Sequence, residues 1–562
     1  PARIDEICER QHAVGALMQS KELRSLLQME LRKLPDLERL LGTINAFSIV
    51  QASNQATNYT DIGRKRLNEF IKCLEGFEAL AATVTKAQRI ANELHSASPL
   101  LAQALTKGDG FPAIDDELAT FRNEFDWAAA KSEGRVVPTA GIDPAYDSAN
   151  EAVEAAVARL EELRREWQGY FGDRSIEWWM PAGKTTEPYQ LVISEDTLKR
   201  KGTPDAFTLM SQKKGWRRFW DDDIREQVMA YLEANEKVEL ALAEGANRLF
   251  GRFSKSFALW NRAVCCAAEL DCLVSLARAS LAPGMCRPVF VHQEAPFLEV
   301  KQGVNICVQA SRPGADCIPN DISIGTEGDS ADEKPRLLLV TGPNMGGKST
   351  ILRQACLTTL MAHLGCWVPA ESCRLTPVDR IFTRVGANDA IMAGLSTFRI
   401  ELEETAQILR HATLHSLVIL DELGRGTATF DGMAIAHAVM EYLLDQTSCC
   451  ALFATHYHAL TRPYEQRNRR VALYHMACAV DDATRNVTFL YKFMPGASSK
   501  SHGVNVARLA GLPDGILAQA DVKSAELEAS LEDKLLLQAA RRLLQVDDTA
   551  AALEIVRELC GH

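Results

Sequence analysis

The sequence predicts a multidomain chain: an all-α first half that carries a small mixed α/β insertion, then a C-terminal α/β domain built on a parallel sheet and closed by helices. Three observations carry this. From residue 4 to about 140, apolar residues recur at three- and four-residue spacing with few β-branched runs, the pattern of amphipathic helices. From about residue 287, short apolar runs alternate with helical stretches, which predicts parallel strands with helices on both faces. The length, 562 residues, exceeds what one hydrophobic core usually organises.

Hydrophobic residues make up 47% and charged residues 24%, an ordinary balance for a folded globular chain and too apolar for intrinsic disorder. The apolar runs at 336–340 and 416–420 have the length of buried strands, not of membrane spans. The chain opens at Pro1 with amphipathic helix and no signal-peptide pattern, which suggests a fragment whose natural N-terminal part is absent. Fifteen cysteines, an odd number without C-x-x-C spacing, disfavour both a disulfide framework and a zinc ribbon, and point to a reducing compartment. A net charge of -12 argues against a uniformly basic nucleic-acid binder, so any contact with phosphates needs a local patch.

Along the chain, a loop signal at 137–144 interrupts the first helices, and a Glu- and Arg-rich helical pattern resumes over 146–170. Strand-like pieces between 175 and 220, including 189–193, predict a small inserted domain among basic residues. Residues 221–280 are again helical, and Pro283 and Pro288 mark the boundary to the α/β regime. The last forty residues return to charged helix, and no fixed-period repeat occurs.

The strongest chemical signal is Gly342-Pro343-Asn344-Met345-Gly346-Gly347-Lys348-Ser349, a phosphate-loop pattern set between an apolar strand over 337–340 and a helical stretch beginning at Thr350. Glycines there let backbone N–H groups turn toward phosphate oxygens; the helix N-terminus adds partial positive charge, Lys348 a full one, and Ser349 a ligand for Mg²⁺. A second apolar strand ends in Asp421-Glu422, suited to orienting a metal and polarising an attacking water. Alone, such a pair usually marks a solvated loop; the upstream phosphate loop reverses that reading. A third strand, 451–454, ends in Thr455-His456-Tyr457-His458, where His456 can sense or stabilise a γ-phosphate.

Together, the runs Thr341 through Thr350, Asp421-Glu422-Leu423-Gly424-Arg425-Gly426-Thr427 and Phe453-Ala454-Thr455-His456-Tyr457 resemble the MutS ATPase family. The resemblance extends through Leu395-Ser396-Thr397-Phe398, similar to the family's signature loop, through Gly496-Ala497-Ser498-Ser499-Lys500-Ser501-His502-Gly503, and back to Leu34-Pro35-Asp36-Leu37-Glu38-Arg39-Leu40. It covers most of the chain and weakens only over the final helices. The runs 382–392 and 486–492 look like the eukaryotic homologue-six subtype.

This resemblance implies an ABC-type P-loop ATPase that uses ATP and Mg²⁺ at composite sites across a heterodimer with a MutS homologue-two subunit, and acts in DNA mismatch repair. Double-stranded DNA with mispairs, a MutL-type downstream factor and a nuclear location follow from the same likeness. It implies core and ascending lever helices over 1–149, a clamp insertion over 150–243, a returning lever helix over 244–284, the ATPase over 285–522 and dimerising helices over 523–562. By that mapping Asn344 and Lys348 touch phosphates within the loop Gly342 to Thr350, Ser349 and Asp421 hold Mg²⁺, Glu422 activates water and His456 supports hydrolysis. Ile318 and Tyr491 flank adenine, and Ser396 acts in trans. The chain departs from the family at Cys317, where an aromatic ring is usual and a thiol offers less stacking area. It departs again at Leu395, where the nearest subtype carries a polar or acidic residue. Two other readings remain open: a meiotic paralogue acting on branched DNA, against which the subtype-like runs argue, and a nucleotide-gated scaffold that barely hydrolyses ATP.

The insertion carries two basic clusters, Lys199-Arg200-Lys201 and Lys213-Lys214 with Arg217-Arg218, the second interleaved with aromatics. Most charge runs are merely solvated surface; here clustering and position in the family favour phosphate-backbone contact, with Asp221-Asp222-Asp223 weakening the field. Phe297-Leu298-Glu299 has the letters of the family's mispair wedge, but it lies in an apolar strand-like stretch and reads as core.

Overall fold

The computed structural model describes residues 3–50, 60–93, 98–180, 187–311, 317–325, 335–386, 397–465, 470–481, 487–498 and 503–544. Its helices and strands run in the expected order. The first half is helical: α1 (Ile4–Gln19), α2 (Lys21–Leu31), α3 (Leu37–Val50), α4 (Thr60–Asn92), α5 (Pro99–Leu105), α6 (Asp115–Glu124), α7 (Trp127–Glu133) and α8 (Pro144–Phe171). The insertion contributes β1 (Glu177–Trp179), β2 (Gln190–Ser194), α9 (Glu195–Lys201), β3 (Thr208–Lys213) and β4 (Trp216–Trp220), and α10 (Asp222–Lys255) and α11 (Phe257–Ser280) follow. The chain divides into two compact units, one of residues 25–95 and 101–271, the other of residues 1–24, 96–100 and 272–562.

In the helical unit, aromatic side chains supply the bulk of the core. Phe70, Phe77, Phe121, Phe253 and Trp260 are fully buried, and Phe253 stacks on Trp260 with ring centroids 4.9 Å apart. Each such ring buries enough apolar area to contribute about 1.5–3 kcal/mol. The insertion forms an antiparallel sheet in the order β1-β2-β4-β3. Its inner face (Leu191, Ile193, Phe219) meets Leu160 and Leu163 of α8, and Ile224 and Val228 of α10, in one cluster. The long α8 starts on an Asp143 cap with Pro144 in its first turn and stops at Gly172, whose left-handed φ of 61° ends the helix without the strain a side chain would add.

The second unit adds β5 (Met285–Cys286), β6 (Val289–Phe290), β7 (Leu298–Gly303), α12 (Ile306–Ser311), β8 (Asn320–Ile324), β9 (Leu337–Thr341), α13 (Lys348–Leu364), β10 (Val368–Pro369), β11 (Ser372–Leu375), β12 (Ile381–Arg384), α14 (Thr397–His411), β13 (Leu417–Asp421), α15 (Thr429–Tyr442), β14 (Cys450–Ala454), β15 (Val471–Val480), β16 (Val487–Pro495), α16 (Gly503–Leu509) and α17 (Asp514–Leu543). Its main sheet has the order β12-β13-β14-β9-β15-β16, parallel throughout except for β16. Alternation along the strands sorts side chains to two buried faces. Leu338, Val340, Leu417, Ile419 and Leu452 pack with Ile351, Leu352 and Ala355 of α13. Leu337, Leu339, Val418, Leu420 and Phe453 pack with Ile408 of α14 and Ala436 and Met440 of α15. Strands covered on both sides read as continuous apolar runs, which is why they were visible in the sequence.

Two details depart from expectation. The segment from residue 287 does not feed the parallel sheet directly: β6, β7, β8 and β11 form a separate mixed sheet in the order β6-β11-β7-β8, because β7 and β8 pair antiparallel. Helix α13 begins at Lys348 and not at Thr350, since Gly347 at φ 104° turns the chain into the helix earlier. Phe297 and Leu298 are buried, as their reading as core requires. No described helix is long and apolar enough to cross a membrane.

Asp221 holds α8 and α10 together within the helical unit. One carboxylate oxygen accepts the Ile224 N–H at 2.6 Å and caps α10, and the other accepts the Trp167 indole N–H at 2.6 Å. Asp221→Ala should therefore lose about 1–3 kcal/mol locally, seen as faster amide exchange in the first turn of α10 and a lower urea midpoint by tryptophan fluorescence. Asp221→Asn, which keeps one of the two acceptors, should lose less. Equal exchange rates in the Ala variant and the parent would show that the cap contributes nothing.

Candidate active site

Parallel strands deliver the site. β13, β14 and β9 are neighbours in register, Asp421 beside Ala454 and Ala454 beside Val340, so whatever follows their carboxyl ends meets at one edge. The loop after β9 carries Gly342 at φ 126°, Met345 at 66° and Gly347 at 104°, conformations that fold it back on itself before the N-terminus of α13. The first turn of a helix leaves N–H groups without intrahelical partners, a ready setting for anionic oxygens. Pro343 and Gly346 are buried, whereas Asn344, Met345 and Thr350 face outward.

Lys348 is almost fully buried under this loop, 4% exposed, and donates to the carbonyls of Gly342 at 2.8 Å and Pro343 at 3.2 Å. Burial pulls its ammonium below the ordinary lysine range, opposed by the charges of Glu422 and Asp421. Ser349 Oγ donates to Asp421 Oδ2 at 2.5 Å. Asp421 is itself buried, and its Oδ1 has no hydrogen-bond partner. Burial raises the Asp421 carboxyl above its ordinary range more than the Ser349 hydroxyl lowers it. A hydroxyl and a buried, partly unsatisfied carboxylate side by side fit a hard dication that keeps most of its ligands as water or substrate oxygens. Among the described residues no group of three or more His, Cys, Asp or Glu gathers elsewhere as a metal site.

Glu422 sits at φ 59°, an uncommon conformation for a side-chain-bearing residue. Its N–H donates to the Ala454 carbonyl at 2.9 Å. One carboxylate oxygen pairs with His456 Nε2 and the other with the Arg425 guanidinium. Burial alone would raise this carboxyl, but His456, Arg425 and Lys348 outweigh it and hold the group below its ordinary value. Glu422 is thus an anion whose remaining lone pairs can accept a water proton.

Ile318 and Tyr491 are both about half exposed, and a single buried amide brings them together. Asn320 Oδ1 accepts the Phe493 N–H at 2.7 Å, and its Nδ2 donates to the carbonyls of Tyr491 at 3.0 Å and Ile318 at 3.3 Å. Tyr491 also borders the loop, its ring lying 3.5 Å from where a Cβ on Gly347 would stand. Cys317 is partly buried. Ser396 and Leu395 lie outside the described residues.

The basic clusters of the insertion converge but differ in freedom. Glu195 N–H donates to the Gly215 carbonyl at 3.1 Å, which sets the turn bearing Lys213 and Lys214 against the start of α9; Lys199, Arg200 and Lys201 form the last turn of that helix. Arg218 turns onto its own sheet, 3.8 Å from the Trp179 ring centroid and 3.3 Å from Ser211 Oγ. Arg217 faces Glu195 at 3.8 Å and Lys199 faces Asp196 at 3.5 Å. Arg200 bonds Thr197 Oγ1 at 3.3 Å. Lys201, Lys213 and Lys214 have no acidic partner among the described residues, and Asp221 is turned inward as a cap, so it opposes them less than the sequence suggests.

Sequence reasoning did not single out Asn320, Arg425, Glu401 or Tyr457. Arg425 and Tyr457 stood inside quoted motifs without a role; Asn320 and Glu401 carry no signal by type or spacing.

Comparison with known proteins gives a consistent result. Residues 2–277 match the family model described as MutS domain III, and residues 338–528 the one described as MutS domain V. The chain is 41% identical over 544 residues to the DNA mismatch repair protein Msh6 of Gallus gallus, covering 93% of this chain and 40% of that protein. To the DNA mismatch repair protein Msh6 of Homo sapiens it is 40% identical over 581 residues, 98% of this chain and 42% of that one. The DNA mismatch repair protein MSH3 of Phaeosphaeria nodorum is 34% identical over 446 residues, 77% of this chain and 38% of its own length. The chain therefore spans about two fifths of the length of these relatives.

The raised Asp421 carboxyl has a consequence for stability. Because the folded chain holds this proton more tightly than the unfolded chain, ionised Asp421 opposes folding at neutral pH, and the penalty is relieved as pH falls through the raised folded value. Asp421→Asn should accordingly raise the thermal midpoint of the nucleotide-free chain near neutral pH, by an amount that shrinks toward the ordinary carboxylate range. A variant that melts below the parent at neutral pH would mean that Lys348 gains more from Asp421 than burial costs it.

Proposed function

This chain belongs to the MutS family, and from that premise we propose that it is an ATP-hydrolysing subunit that couples ATP binding and hydrolysis to closure of a clamp on mispaired duplex DNA. The observation that carries the reading is the meeting of Ser349, Asp421, Glu422 and His456 beside the glycine-rich loop. The Msh6 likeness supports a role in DNA mismatch repair; the proposal adds a heterodimer with a MutS homologue-two subunit, a MutL-type factor downstream and a nuclear location. In this reading residues 1–149 are core and ascending lever, 150–243 clamp, 244–284 returning lever, 285–522 ATPase and 523–562 dimerising helices.

The loop from Gly342 to Thr350 would wrap the phosphates, with Lys348 shifting its hydrogen bonds from loop carbonyls to phosphate oxygens. Its lowered basicity is restored by such anions, since their charge favours the ammonium. Ser349 and Asp421 would hold Mg²⁺, which supplies charge neutralisation for the transferred phosphoryl group. Glu422 would orient and deprotonate the attacking water, with His456 fixing its carboxylate from one side. Ile318 and Tyr491 would flank the base, and Ser396 would complete the partner's site. In the insertion Lys199, Arg200, Lys201, Lys213, Lys214 and Arg217 would meet the phosphate backbone; Arg218, committed to Trp179, would serve the sheet instead.

A second reading, a nucleotide-gated scaffold that binds ATP and scarcely hydrolyses it, is favoured by Cys317 in place of an aromatic ring. Turnover decides between them. In the heterodimer, Glu422→Gln should bind ATP as the parent does while losing about 10²-fold or more in kcat. Lys348→Ala should weaken binding itself. Parent turnover no faster than that of Glu422→Gln, with binding intact, would favour the scaffold.

The DNA part has its own measurement. Replacing Lys201, Lys213 and Lys214 with alanine should flatten the dependence of log K on log salt by about 0.9 for each phosphate that these lysines no longer neutralise. An unchanged slope would remove the insertion from the DNA interface.

A further inference from the structure

The turn that carries Glu422 is gripped from both sides at Gly424. The Gly424 N–H donates to Glu401 Oε1 at 2.5 Å, and the Gly424 carbonyl accepts from the Tyr457 hydroxyl at 2.8 Å. Glu401, near the start of α14, is 5% exposed, and its second oxygen faces the buried Arg384 at the end of β12, 3.7 Å away. Arg384 also reaches Glu404 at 3.1 Å.

Packing leaves this turn no slack. Gly424 lies at φ 94°, and a Cβ there would stand 2.5 Å from the Gly432 carbonyl oxygen of α15. A Cβ on Gly426 would stand 2.6 Å from Cβ of Phe398 in α14. The backbone between them is therefore wedged against two helices and clipped by two side chains, while Glu422, two residues upstream, holds its left-handed φ of 59°. Such a conformation costs about 1–2 kcal/mol and persists only where its surroundings enforce it.

We propose that Glu401 is a positioning residue for the hydrolytic step: through the Gly424 N–H it fixes the backbone of Glu422, and through its place in α14 it ties that backbone to the helix that begins directly after Ser396. The proposal rests on the hydrolytic reading above. Removing the carboxylate strands the buried Gly424 N–H, leaves Arg384 to Glu404 alone among its carboxylates, and frees the turn to relax. The nucleotide-holding loop is not touched: among the described residues, Lys348 and Ser349 share no hydrogen bond with Glu401 or Gly424. Catalysis and binding should therefore separate. A displacement of the water-activating group by about 1 Å lowers turnover by up to about 10²-fold.

The experiment measures kcat, KM and equilibrium ATP binding for three variants in the heterodimer, with the partner's own phosphate loop disabled so that turnover reports this chain's site. Glu401→Ala should lower kcat by about 10- to 100-fold, with KM and nucleotide affinity held within about threefold. Glu401→Gln, whose amide oxygen still accepts the Gly424 N–H, should recover most of the loss. Tyr457→Phe removes only the hydroxyl on the other side and should give the same split, severalfold in kcat. It carries the test if Glu401→Ala does not fold. Unchanged kcat in Glu401→Ala, loss of binding in step with turnover, or a Gln variant no better than Ala overturns the proposal. A parent chain that binds ATP without turning it over overturns the hydrolytic reading instead, and the positioning role with it.

Discussion

The site depends on a hydrogen-bond ladder that does not stop where the strands do. Beyond the last paired residues, the Glu422 N–H still reaches the Ala454 carbonyl at 2.9 Å, and the Thr455 N–H reaches the Val340 carbonyl at 3.0 Å. These two bonds carry the register of β13, β14 and β9 one residue further, into the loops that hold Glu422, His456 and the glycine-rich turn. A parallel sheet buried on both faces has little freedom to slip, because a one-residue shift would send every inward side chain to the opposite layer. The relative positions of Asp421, Glu422, His456 and Lys348 are thus set by core packing, before any side chain at the site interacts with another.

That rigidity lets the molecule keep charges where isolated charges would not remain. Lys348 and Asp421 are both buried, and burial disfavours the charged form of each. Neither has a complete set of partners: Lys348 borrows loop carbonyls, and one Asp421 oxygen has none. Glu422 is different, since His456 and Arg425 stabilise its anion. The edge therefore holds one carboxylate whose anion is satisfied by cationic partners and one unsatisfied carboxylate with a free oxygen for a cation. Two neighbouring acids acquire opposite tendencies from their surroundings alone.

Much of this was legible in the sequence, and the reasons are specific. Buried parallel strands produce unbroken apolar runs, so β9, β13 and β14 announced themselves, and the residues after them could be read as the site edge. Gly342 and Gly347 in the pattern before Lys348 reflect positive φ angles that other residues adopt at a cost. By contrast, Glu401 is one acid among several in Glu401-Leu402-Glu403-Glu404, and helical spacing alone cannot tell which of them turns inward. The mixed sheet of β6, β7, β8 and β11 was hidden because β7 and β8 bury only alternate positions and so give no unbroken apolar run, and pairing direction is not written in local composition. Arg218 and Lys214 look equivalent as letters; the Trp179 ring, which reaches Arg218 from β1 across the intervening β2, and the Ser211 hydroxyl commit the first to the sheet.

Asn320 shows how a position with no sequence signal can govern a surface that has one. The chain has Cys317 and no aromatic ring there, so in the proposed reading stacking area for a base would come from neighbours. Ile318 precedes β8 and Tyr491 lies on β16, strands of different sheets that share no ladder. Asn320 replaces the missing ladder with one side-chain amide, accepting from Phe493 and donating to the carbonyls of Ile318 and Tyr491. Lys492 adds a second tie by donating to the Pro319 carbonyl at 2.7 Å. Both bridges run through backbone groups, so they fix where the Ile318 and Tyr491 side chains emerge without using those side chains. A flat group entering there would meet an aliphatic face and a phenol ring whose backbone attachment points are already fixed, a preorganisation that would offset in part the smaller stacking area at Cys317.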